Sequence, residues 1–236
     1  MAEKRTVQYG TTSITYTLDY ARRKTLGITV QPDLSVRVRA PVGTPKRQVD
    51  ALVVKRAPWI LRHQQELRTA SPPQPPHAYV SGETHYYLGK PYRLKVLESP
   101  QNMVKVECGW LRVFTRQKDA DSVQRVLERW ARARAKAVFT ERLTACYPRM
   151  AHTGILYPEL LVRKMKSSWG NARGTKITLN VRLVQMPVES IDYVIFHELC
   201  HLAQPNHSKK FYALLDRVLP DWRERKERMK KFGALR

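Results

Sequence analysis

The spacing of apolar residues changes from period two to helical spacing about halfway along the chain. The early runs alternate apolar and polar side chains, which predicts strands with one buried face. The apolar members of these runs are Ile14, Tyr16 and Leu18, then Leu26, Ile28 and Val30, and then Leu34, Val36 and Val38. Pro32 and Asp33 lie between the last two runs and favour a tight hairpin. Because strands come first and helices follow, the sequence predicts an α+β fold.

One helix is expected directly after these first strands. Thr44 and Pro45 suit its N-cap and its first turn. Its amphipathic stripe continues to about Leu67, and Pro58 predicts a kink within it. The Pro-rich run at 71–76 is typical of a stiff extended connector. We therefore expect three parts, which can still form one continuous domain: strands and a helix at 1–70, the connector at 71–76, and a larger part at 77–236.

Hairpins and a long helix are expected in the first stretch of the part at 77–236. Apolar runs on both sides of Gly89-Lys90 predict a hairpin, and two more strands are expected around Val104 and Leu111. Helical spacing begins at Val123 and continues until Pro148 ends the segment. The sequence thus predicts a β-rich N-terminal half packed with a helical C-terminal half.

The segment from His197 to His201 reads His-Glu-Leu-Cys-His and is the strongest chemical signal in the chain. Residues four apart lie about 40° apart around a helix axis, so both imidazoles can bind one ion. The flanking sequence also predicts a helix, because Pro187 and Glu189 suit its first turn and an apolar face follows. The resulting hypothesis is a metal site on one face of this helix.

A third histidine, His207, follows the helix-ending Pro205, so the chain can turn and bring this imidazole back towards the ion. Three neutral imidazoles and a water form an open tetrahedral zinc site, in which the ion lowers the pKa of the water. Glu198 can then act as general base and afterwards as general acid. We expect one Zn²⁺ per chain, with another divalent transition metal as the alternative. Cys200 is expected to be a small buried residue rather than a ligand.

The chain is strongly basic, with 43 Lys and Arg against 20 Asp and Glu and a formal net charge of +23. This charge favours a polyanionic partner such as a nucleotide or a nucleic acid, although a basic solvated surface explains it equally well. Cys108, Cys146 and Cys200 are far apart and form no CxxC pair, which fits a reducing compartment. Without a recognisable leader or membrane-spanning run, a cytoplasmic protein with no membrane contact is expected. The sequence leaves the oligomeric state open.

Further motifs surround the histidine segment. They are Ser168-Trp169-Gly170, Ile177 to Leu183, Ile191 to Ile195, Asn206-His207-Ser208 and Phe211-Tyr212, with Arg22-Arg23-Lys24, Pro58-Trp59-Ile60 and Tyr87 to Tyr92 upstream. Together with the His-Glu-Leu-Cys-His segment, they resemble the YgjP-like metallopeptidase family, which is related to the SprT-type zincins. The resemblance extends over nearly the whole chain, and its C-terminal third is specific.

This resemblance implies an α+β fold whose zincin-like catalytic half carries the histidine helix, and a peptide or protein as substrate. The ligands that it implies are His197, His201 and His207, with Glu198 as the catalytic glutamate. It also implies a substrate-facing strand near Trp169. One departure is visible, because Asn171-Ala172 stands where family members commonly have Ser-Cys. A packing role for the Trp169 region gains weight from that departure.

Three residues are weaker candidates for substrate binding, namely Arg163, Lys166 and Trp169. A cation at this place can stabilise an oxyanion or hold an anionic group. An edge strand that carries charges against aggregation explains Arg163 and Lys166 as well. His77, His85 and His152 have the spacing of ordinary surface histidines.

A metallopeptidase is the leading hypothesis, and two alternatives stay open. The same metal-activated water can attack phosphorus, so a nucleoside triphosphate hydrolase is the second hypothesis, although the sequence has no Walker A pattern. A basic nucleic-acid-associated protein with a structural metal is the third. Trp110, Trp130 or Trp222 could then stack on bases, but tryptophans at such spacing more often belong to the core.

Overall fold

The computed structural model describes residues 3–31, 33–69, 77–166 and 168–233. The chain falls into two compact units, Met1–Pro72 and Pro73–Arg236. The connector predicted at 71–76 lies outside the described residues, as does Pro32 of the first predicted turn. Strands dominate the first half of the chain and helices the second, which confirms the α+β prediction.

The first unit consists of a four-stranded sheet and one helix. Its elements are β1 (Glu3–Tyr9), β2 (Thr12–Ala21), β3 (Gly27–Val30), β4 (Val36–Pro41) and α1 (Lys46–Thr69). The strand order is β1-β2-β4-β3, with β2 and β4 parallel and the other pairs antiparallel. Tyr16, Leu18 and Val38 on the buried face of the sheet form one core with Val53 and Ile60 of α1.

Strand β1 is the element of this unit that the apolar pattern does not predict. Only Val7 of its seven residues is buried, so the strand carries almost no period-two signal. Pairing with β2 over its whole length holds it in place instead. The helix agrees better with the sequence, since it begins just after Pro45 and contains Pro58.

The second unit contains two sheets and four helices among its described residues. Its strands are β5 (Thr84–Tyr87), β6 (Lys90–Glu98), β7 (Met103–Glu107), β8 (Trp110–Thr115), β9 (Glu159–Arg163), β10 (Gly170–Arg173) and β11 (Lys176–Asn180). Its helices are α2 (Ala120–Cys146), α3 (Val188–Ala203), α4 (Lys209–Val218) and α5 (Trp222–Gly233). Two 3₁₀ segments, Tyr147–Thr153 and Val181–Gln185, follow α2 and β11.

The two sheets of this unit have different sizes. The strand order is β5-β6-β8-β7 in the larger sheet and β10-β11-β9 in the smaller one. In the larger sheet, Leu88-Gly89 and Cys108-Gly109 form two-residue turns with positive φ at both positions, as hairpins of this type require. In the smaller sheet, β10 pairs with β11 antiparallel, whereas β9 pairs with β11 parallel. The strand β10 therefore forms one edge of the smaller sheet.

Helix α2 contributes to two cores. Its first turns pack with the larger sheet, where Val123 and Leu127 join Leu94 and Val113. Its later turns join the main core around α3, through residues such as Phe139. None of the helices in the described ranges combines the length and the apolar character needed to cross a membrane.

An ion pair between α2 and α3 fixes the position of α3. Both nitrogens of the Arg142 fork donate to the Asp192 carboxylate at 2.8 Å, and Asp192 is buried. This pair is bidentate, a geometry that restrains rotation as well as distance. The carboxylate also lies within reach of Arg225 on α5, at 3.8 Å. Three helices thus meet at one buried carboxylate.

The β5–β6 hairpin is attached to the segment that precedes α3. The N–H groups of Leu88 and Gly89 donate to the carbonyls of Val184 and Gln185 at 2.9 and 3.0 Å. A Cβ at Gly89 would lie 2.8 Å from Pro187, the residue that caps α3, so only glycine fits at this contact. The start of α3 is therefore set by the larger sheet.

Candidate metal centre

Helix α3 places two histidines one turn apart. Its first turn follows Pro187, and its middle is buried on nearly every side, which is why its sequence is so apolar. The rings of His197 and His201 are 4.8 Å apart and nearly perpendicular. The i, i+4 spacing in the sequence therefore produces two adjacent imidazoles at the partly exposed end of a buried helix.

The third histidine returns to the same place after the helix has ended. Helix α3 stops at Ala203, just before Pro205, and Ser208 caps α4 by accepting a hydrogen bond from the N–H of Phe211. This turn brings the His207 ring to 5.0 Å from that of His197 and 4.5 Å from that of His201. The three predicted ligands thus form one cluster, with ligand atoms within 4.8 Å of one another.

The aromatic ring of Phe211 packs against all three histidine rings. Its ring is fully buried and lies 5.1, 4.6 and 4.8 Å from the rings of His197, His201 and His207. The sequence identifies Phe211 only as part of the Phe211-Tyr212 motif, and this motif does not show which side chains the ring contacts. The contacts of this phenylalanine restrain all three imidazoles at once.

The donor geometry fits a small divalent ion. The Nε2 atoms of His197 and His207 are 3.1 Å apart, close to the edge of about 3.3 Å that a tetrahedron with zinc–nitrogen bonds of about 2.0 Å requires. His201 Nδ1 faces the carbonyl of Gln204 at 3.3 Å, which leaves its Nε2 free to act as a ligand. Three nitrogen donors are a set that Zn²⁺ binds well. The residues present therefore suit a zinc-type ion.

The local electrostatics favour the neutral form of two of these imidazoles, His197 and His207. Burial lowers the pKa of His197 to about 4, and the neighbouring His201 and His207 add to the shift. The pKa of His207 is lowered as well, first by burial and then by His201 and Lys226. A neutral imidazole has the lone pair that a metal ion needs, so His197 and His207 are prepared for coordination near neutral pH.

Glu198 is buried next to the histidines, with only 5% of its surface exposed. Burial raises the pKa of its carboxyl to about 7, because a charged carboxylate loses its hydration there. Such a group can take up and release a proton near neutral pH, as a general base must.

Strand β10 passes directly beside Glu198. A Cβ built on Gly170 would lie 2.6 Å from Glu198 Oε1, so any other residue here would force the strand or the carboxyl to shift. The strand begins immediately after Trp169, where the resemblance implies a substrate-facing strand. The edge of the smaller sheet therefore meets α3 at the Glu198 carboxyl. We call α3 the HExxH helix, because its segment His197 to His201 has that pattern.

The three weaker candidates have different surroundings. Arg163 is the last residue of β9, and Lys166 lies in the segment between β9 and β10. Both are exposed. Trp169 is half-buried and packs against the main core. Trp169 thus lies directly before β10, the strand at the site, whereas Arg163 and Lys166 lie at the surface.

Asn180 is a residue that the sequence analysis does not single out, and it holds the segment that precedes β10. Its buried side chain donates to the carbonyls of Met165 and Ser168 at 3.0 and 2.9 Å, and it accepts from the N–H of Arg182 at 3.1 Å. Its backbone N–H donates to the Trp169 carbonyl at 2.9 Å. Only a buried asparagine within an apolar strand hints at this role in the sequence.

Two tyrosines flank the cluster. Tyr193 is buried, and burial raises its pKa to about 12. Tyr212 is 36% exposed, its ring lies 6.1 Å from that of His207, and it stacks on Trp222 at 5.7 Å. Trp222 itself is buried, which agrees with a core role for this tryptophan. Tyr212 is thus the tyrosine that borders the open side of the cluster.

An open cleft adjoins the end of α3. Its volume is about 620 Å³, and its lining includes Leu202, Gln204, Ile155 and Leu156. Gly174 and Thr175, from the turn between β10 and β11, complete its other side. The cleft therefore connects the C-terminal end of β10 with the residues that follow His201.

Two histidines outside this cluster, His152 and His85, differ in their burial. His152 is exposed, as expected of a surface histidine. His85 is buried, with 8% of its surface exposed, so its interpretation as an ordinary surface histidine is wrong. Strand alternation explains the burial, because His85 lies on the same face of β5 as the core residue Tyr87.

Comparison with known proteins gives a family match and one structural likeness. The chain is similar to the crystal structure of the metallopeptidase zymogen of Pyrococcus abyssi abylysin, with 20% identity and a TM-score of 0.37. That alignment covers 41% of this chain and 96% of the other, a likeness too weak to define the fold. Among curated proteins, a search finds no match. The family model described as YgjP-like, metallopeptidase domain, matches residues 24–232, and the protein therefore belongs to the YgjP-like family.

Proposed function

We propose that this protein is a metal-dependent peptidase that cleaves extended polypeptide segments. The observation that supports this most is the meeting of three elements: three imidazoles facing one point, a buried Glu198 beside them, and the edge strand β10 in contact with that glutamate. Membership of a metallopeptidase family implies a divalent metal, and Zn²⁺ suits the donor set. His197, His201 and His207 would hold this ion.

A bound ion would supply Lewis-acid chemistry, by acidifying water and polarising the scissile carbonyl group. Glu198 would accept a proton from the attacking water and later return it to the leaving amine. The pKa of about 7 suits both halves of this exchange, because neither transfer is strongly uphill near neutral pH. Phe211 would keep the three rings in one orientation throughout.

The substrate would bind along β10 as an additional strand. Since β10 is the edge of its sheet, the backbone groups on its outer side are not used by a neighbouring described strand. Gly170 permits a close approach to Glu198, so a peptide aligned on β10 would have a scissile bond near that carboxyl. The cleft at the end of β10 offers space for one side chain of the substrate, with apolar contacts from Leu202 and Ile155.

Tyr212 is the candidate for stabilising the oxyanion. Its position beside His207 and its partial exposure would let the hydroxyl donate to a developing negative charge. Its stacking on the buried Trp222 would restrain the ring. Arg163 and Lys166 are proposed only as contacts to acidic side chains of a substrate, because both lie exposed on the segment before β10.

The test combines metal analysis with a substrate screen. Wild type and His201→Ala would be analysed by mass spectrometry for metal bound at this centre, and both would be assayed on unstructured proteins, peptides and nucleoside triphosphates. Glu198→Gln serves as the matched control, since it keeps the size of the side chain but cannot accept the proton. Peptide cleavage that requires both His201 and Glu198 supports the proposal. Cleavage of nucleoside triphosphates alone would replace it with a phosphohydrolase, and no metal at this centre would refute both.

A further inference from the structure

A second group of metal-ligating side chains lies outside the centre described above. It consists of His77, Glu83 and His85, whose potential ligand atoms all lie within 4.8 Å of one another. Nδ1 of His77 is 2.8 Å from one oxygen of Glu83, and Nε2 of His85 is 3.1 Å from the other oxygen. The two imidazole rings are stacked, with centroids 4.3 Å apart. One carboxylate thus bridges the edges of two stacked imidazoles.

We propose that His77, Glu83 and His85 form a second metal-binding site, which takes a divalent transition ion of the zinc type. Two imidazole nitrogens and one carboxylate oxygen are a donor set that Zn²⁺ accepts in proteins. This inference does not depend on the proposed peptidase activity, since none of the three residues belongs to the His197 centre.

The carboxylate of Glu83 is held in a fixed orientation before any ion binds. The backbone N–H of Ala78 donates to one of its oxygens at 3.0 Å, and that of Tyr79 donates to the other at 2.9 Å. An ionised carboxylate has about four lone-pair positions, so two remain, and these face the imidazoles. Supporting hydrogen bonds of this kind orient the ligands of real metal sites.

The backbone around Glu83 is fixed as well. The N–H of Leu94 donates to the Glu83 carbonyl at 2.8 Å, and the N–H of Gly82 donates to the Leu94 carbonyl at 2.8 Å. Tyr79 adopts a positive φ of 57°, which is unusual for a residue other than glycine and turns the chain back towards Glu83. The backbone of the loop at 77–83 therefore holds its first residue, His77, in contact with its last residue, Glu83.

Burial of His85 is the second reason for proposing an ion here. A buried imidazole needs polar partners to offset its loss of hydration, and the described hydrogen-bond partner of the His85 side chain is Glu83. His77, in contrast, has a side chain that is 40% exposed, which gives an ion a path to the site and leaves a coordination position open to water. The site is therefore enclosed on the side of His85 and open to solvent on the side of His77, with the fixed Glu83 carboxylate as the third ligand.

Coordination requires only a small rearrangement. In a tetrahedral zinc site two ligand atoms are about 3.3 Å apart, so donor atoms as far apart as 4.8 Å must approach by about 1.5 Å. Each neutral ring would carry its single proton on the nitrogen that does not face the ion. Rotation of the exposed His77 ring would bring its nitrogen towards the ion, and proton exchange with water would place the proton of each ring on the other nitrogen.

A bound ion would tie the loop at 77–83 to β5. That strand leads into the turn whose Leu88 and Gly89 are hydrogen-bonded to Val184 and Gln185, just before α3. The ion would therefore stabilise the larger sheet and, through it, the support of the HExxH helix. A structural role of this kind predicts an increase in melting temperature when metal is added.

The experiment counts bound ions in single and double variants of the full chain. Protein stripped with a chelator would be loaded with Zn²⁺, passed through a desalting column and analysed by mass spectrometry for metal per chain. The variants are His201→Ala, His77→Ala and the double variant, with the exposed His152→Ala as control. We expect two ions in wild type and in the control, one in each single variant and none in the double variant.

Each outcome distinguishes this proposal from the proposed function. An unchanged count in His77→Ala relative to wild type would overturn the second site, whatever happens in His201→Ala. Loss of one ion in His77→Ala but none in His201→Ala would support the second site and refute the first. His77 is exposed enough for its variant to fold, and Glu83→Gln with cobalt(II) absorption in the His201→Ala background gives a second readout. A cobalt spectrum that survives Glu83→Gln unchanged would also overturn the proposal.

Discussion

The two histidine clusters of this protein are built in opposite ways. His197 and His201 come from one helix at a spacing visible in the sequence, and their rings pack against the buried ring of Phe211. His77 and His85 come from a loop and a strand, and they face a carboxylate, Glu83, which is held by hydrogen bonds from two backbone N–H groups. The first cluster offers an ion three imidazole nitrogens and no carboxylate. The second brings its own negative charge.

This difference is the physical basis for proposing a reactive first centre and a structural second one. An ion held by neutral imidazoles alone keeps its full positive charge and is a stronger Lewis acid. An ion that shares its site with a fixed carboxylate is partly neutralised and is better suited to hold a loop in place. Glu198, the proposed proton acceptor of the first centre, lies in a neighbouring buried position, where burial raises its pKa to about 7.

The comparison is tested most directly by replacing the two glutamates. We expect Glu198→Gln to lower kcat for peptide cleavage by about 10³-fold, because the amide cannot accept the proton, while both ions stay bound. Glu83→Gln should instead lose one ion and keep the other. Turnover and metal content of the two variants would be measured together, with the exposed Glu159→Gln on β9 as control. Loss of metal in Glu198→Gln would show that this glutamate is a ligand.

The next largest effect is expected where α3 is anchored. Arg142→Ala leaves the buried Asp192 carboxylate without its bidentate partner, and we expect the free energy of unfolding to fall by about 3 kcal/mol. Urea denaturation measures this change. Arg132→Ala, an exposed arginine on the same helix, should have little effect. A fall in stability of the same size in both variants would show that the ion pair does not anchor α3.

Gly170→Ala tests the contact between β10 and the first cluster. The added Cβ would lie 2.6 Å from Glu198 Oε1, so the strand or the carboxyl must move, and we expect kcat/KM to fall by about 10²-fold. The first cluster should keep its ion, because none of its ligands is touched. Asn171→Ala, at an exposed position of the same strand, is the matched control. Wild-type activity in Gly170→Ala would exclude a close approach during catalysis.

The smallest effect in this series is expected for Tyr212→Phe. Removal of a partly exposed hydroxyl beside His207 should lower kcat by about tenfold, with little change in KM and no change in metal content. Tyr157→Phe removes another partly exposed hydroxyl, at the end of a hydrogen bond to Thr144, and should leave kcat unchanged. A change in KM alone would make Tyr212 a substrate contact instead of an oxyanion donor.

Local patterns in the sequence predicted much of this fold. Alternation predicted β2, β3 and β4, and the Gly89 turn predicted the β5–β6 hairpin, because each depends on residues close together in the chain. Strand β1 was missed, since its single buried residue, Val7, gives no period. Its formation depends on pairing with β2, which is a tertiary condition.

The candidate site divides along the same line. The sequence by itself determined the helix with His197, Glu198 and His201, and the Pro205 turn that allows His207 to return, because helix periodicity and chain breaking act over a few residues. Only the tertiary structure placed Gly170 against Glu198, Phe211 beneath the three rings and Asn180 behind the segment before β10.

The second cluster and the Arg142–Asp192 pair were likewise decided by packing alone. Contacts between residues far apart in sequence form only when burial of apolar surface brings their elements together, and no local pattern encodes the partner. The sequence therefore determined which chemistry is available in this protein. The tertiary structure decided which groups meet, since each meeting depends on how two separately encoded surfaces pack.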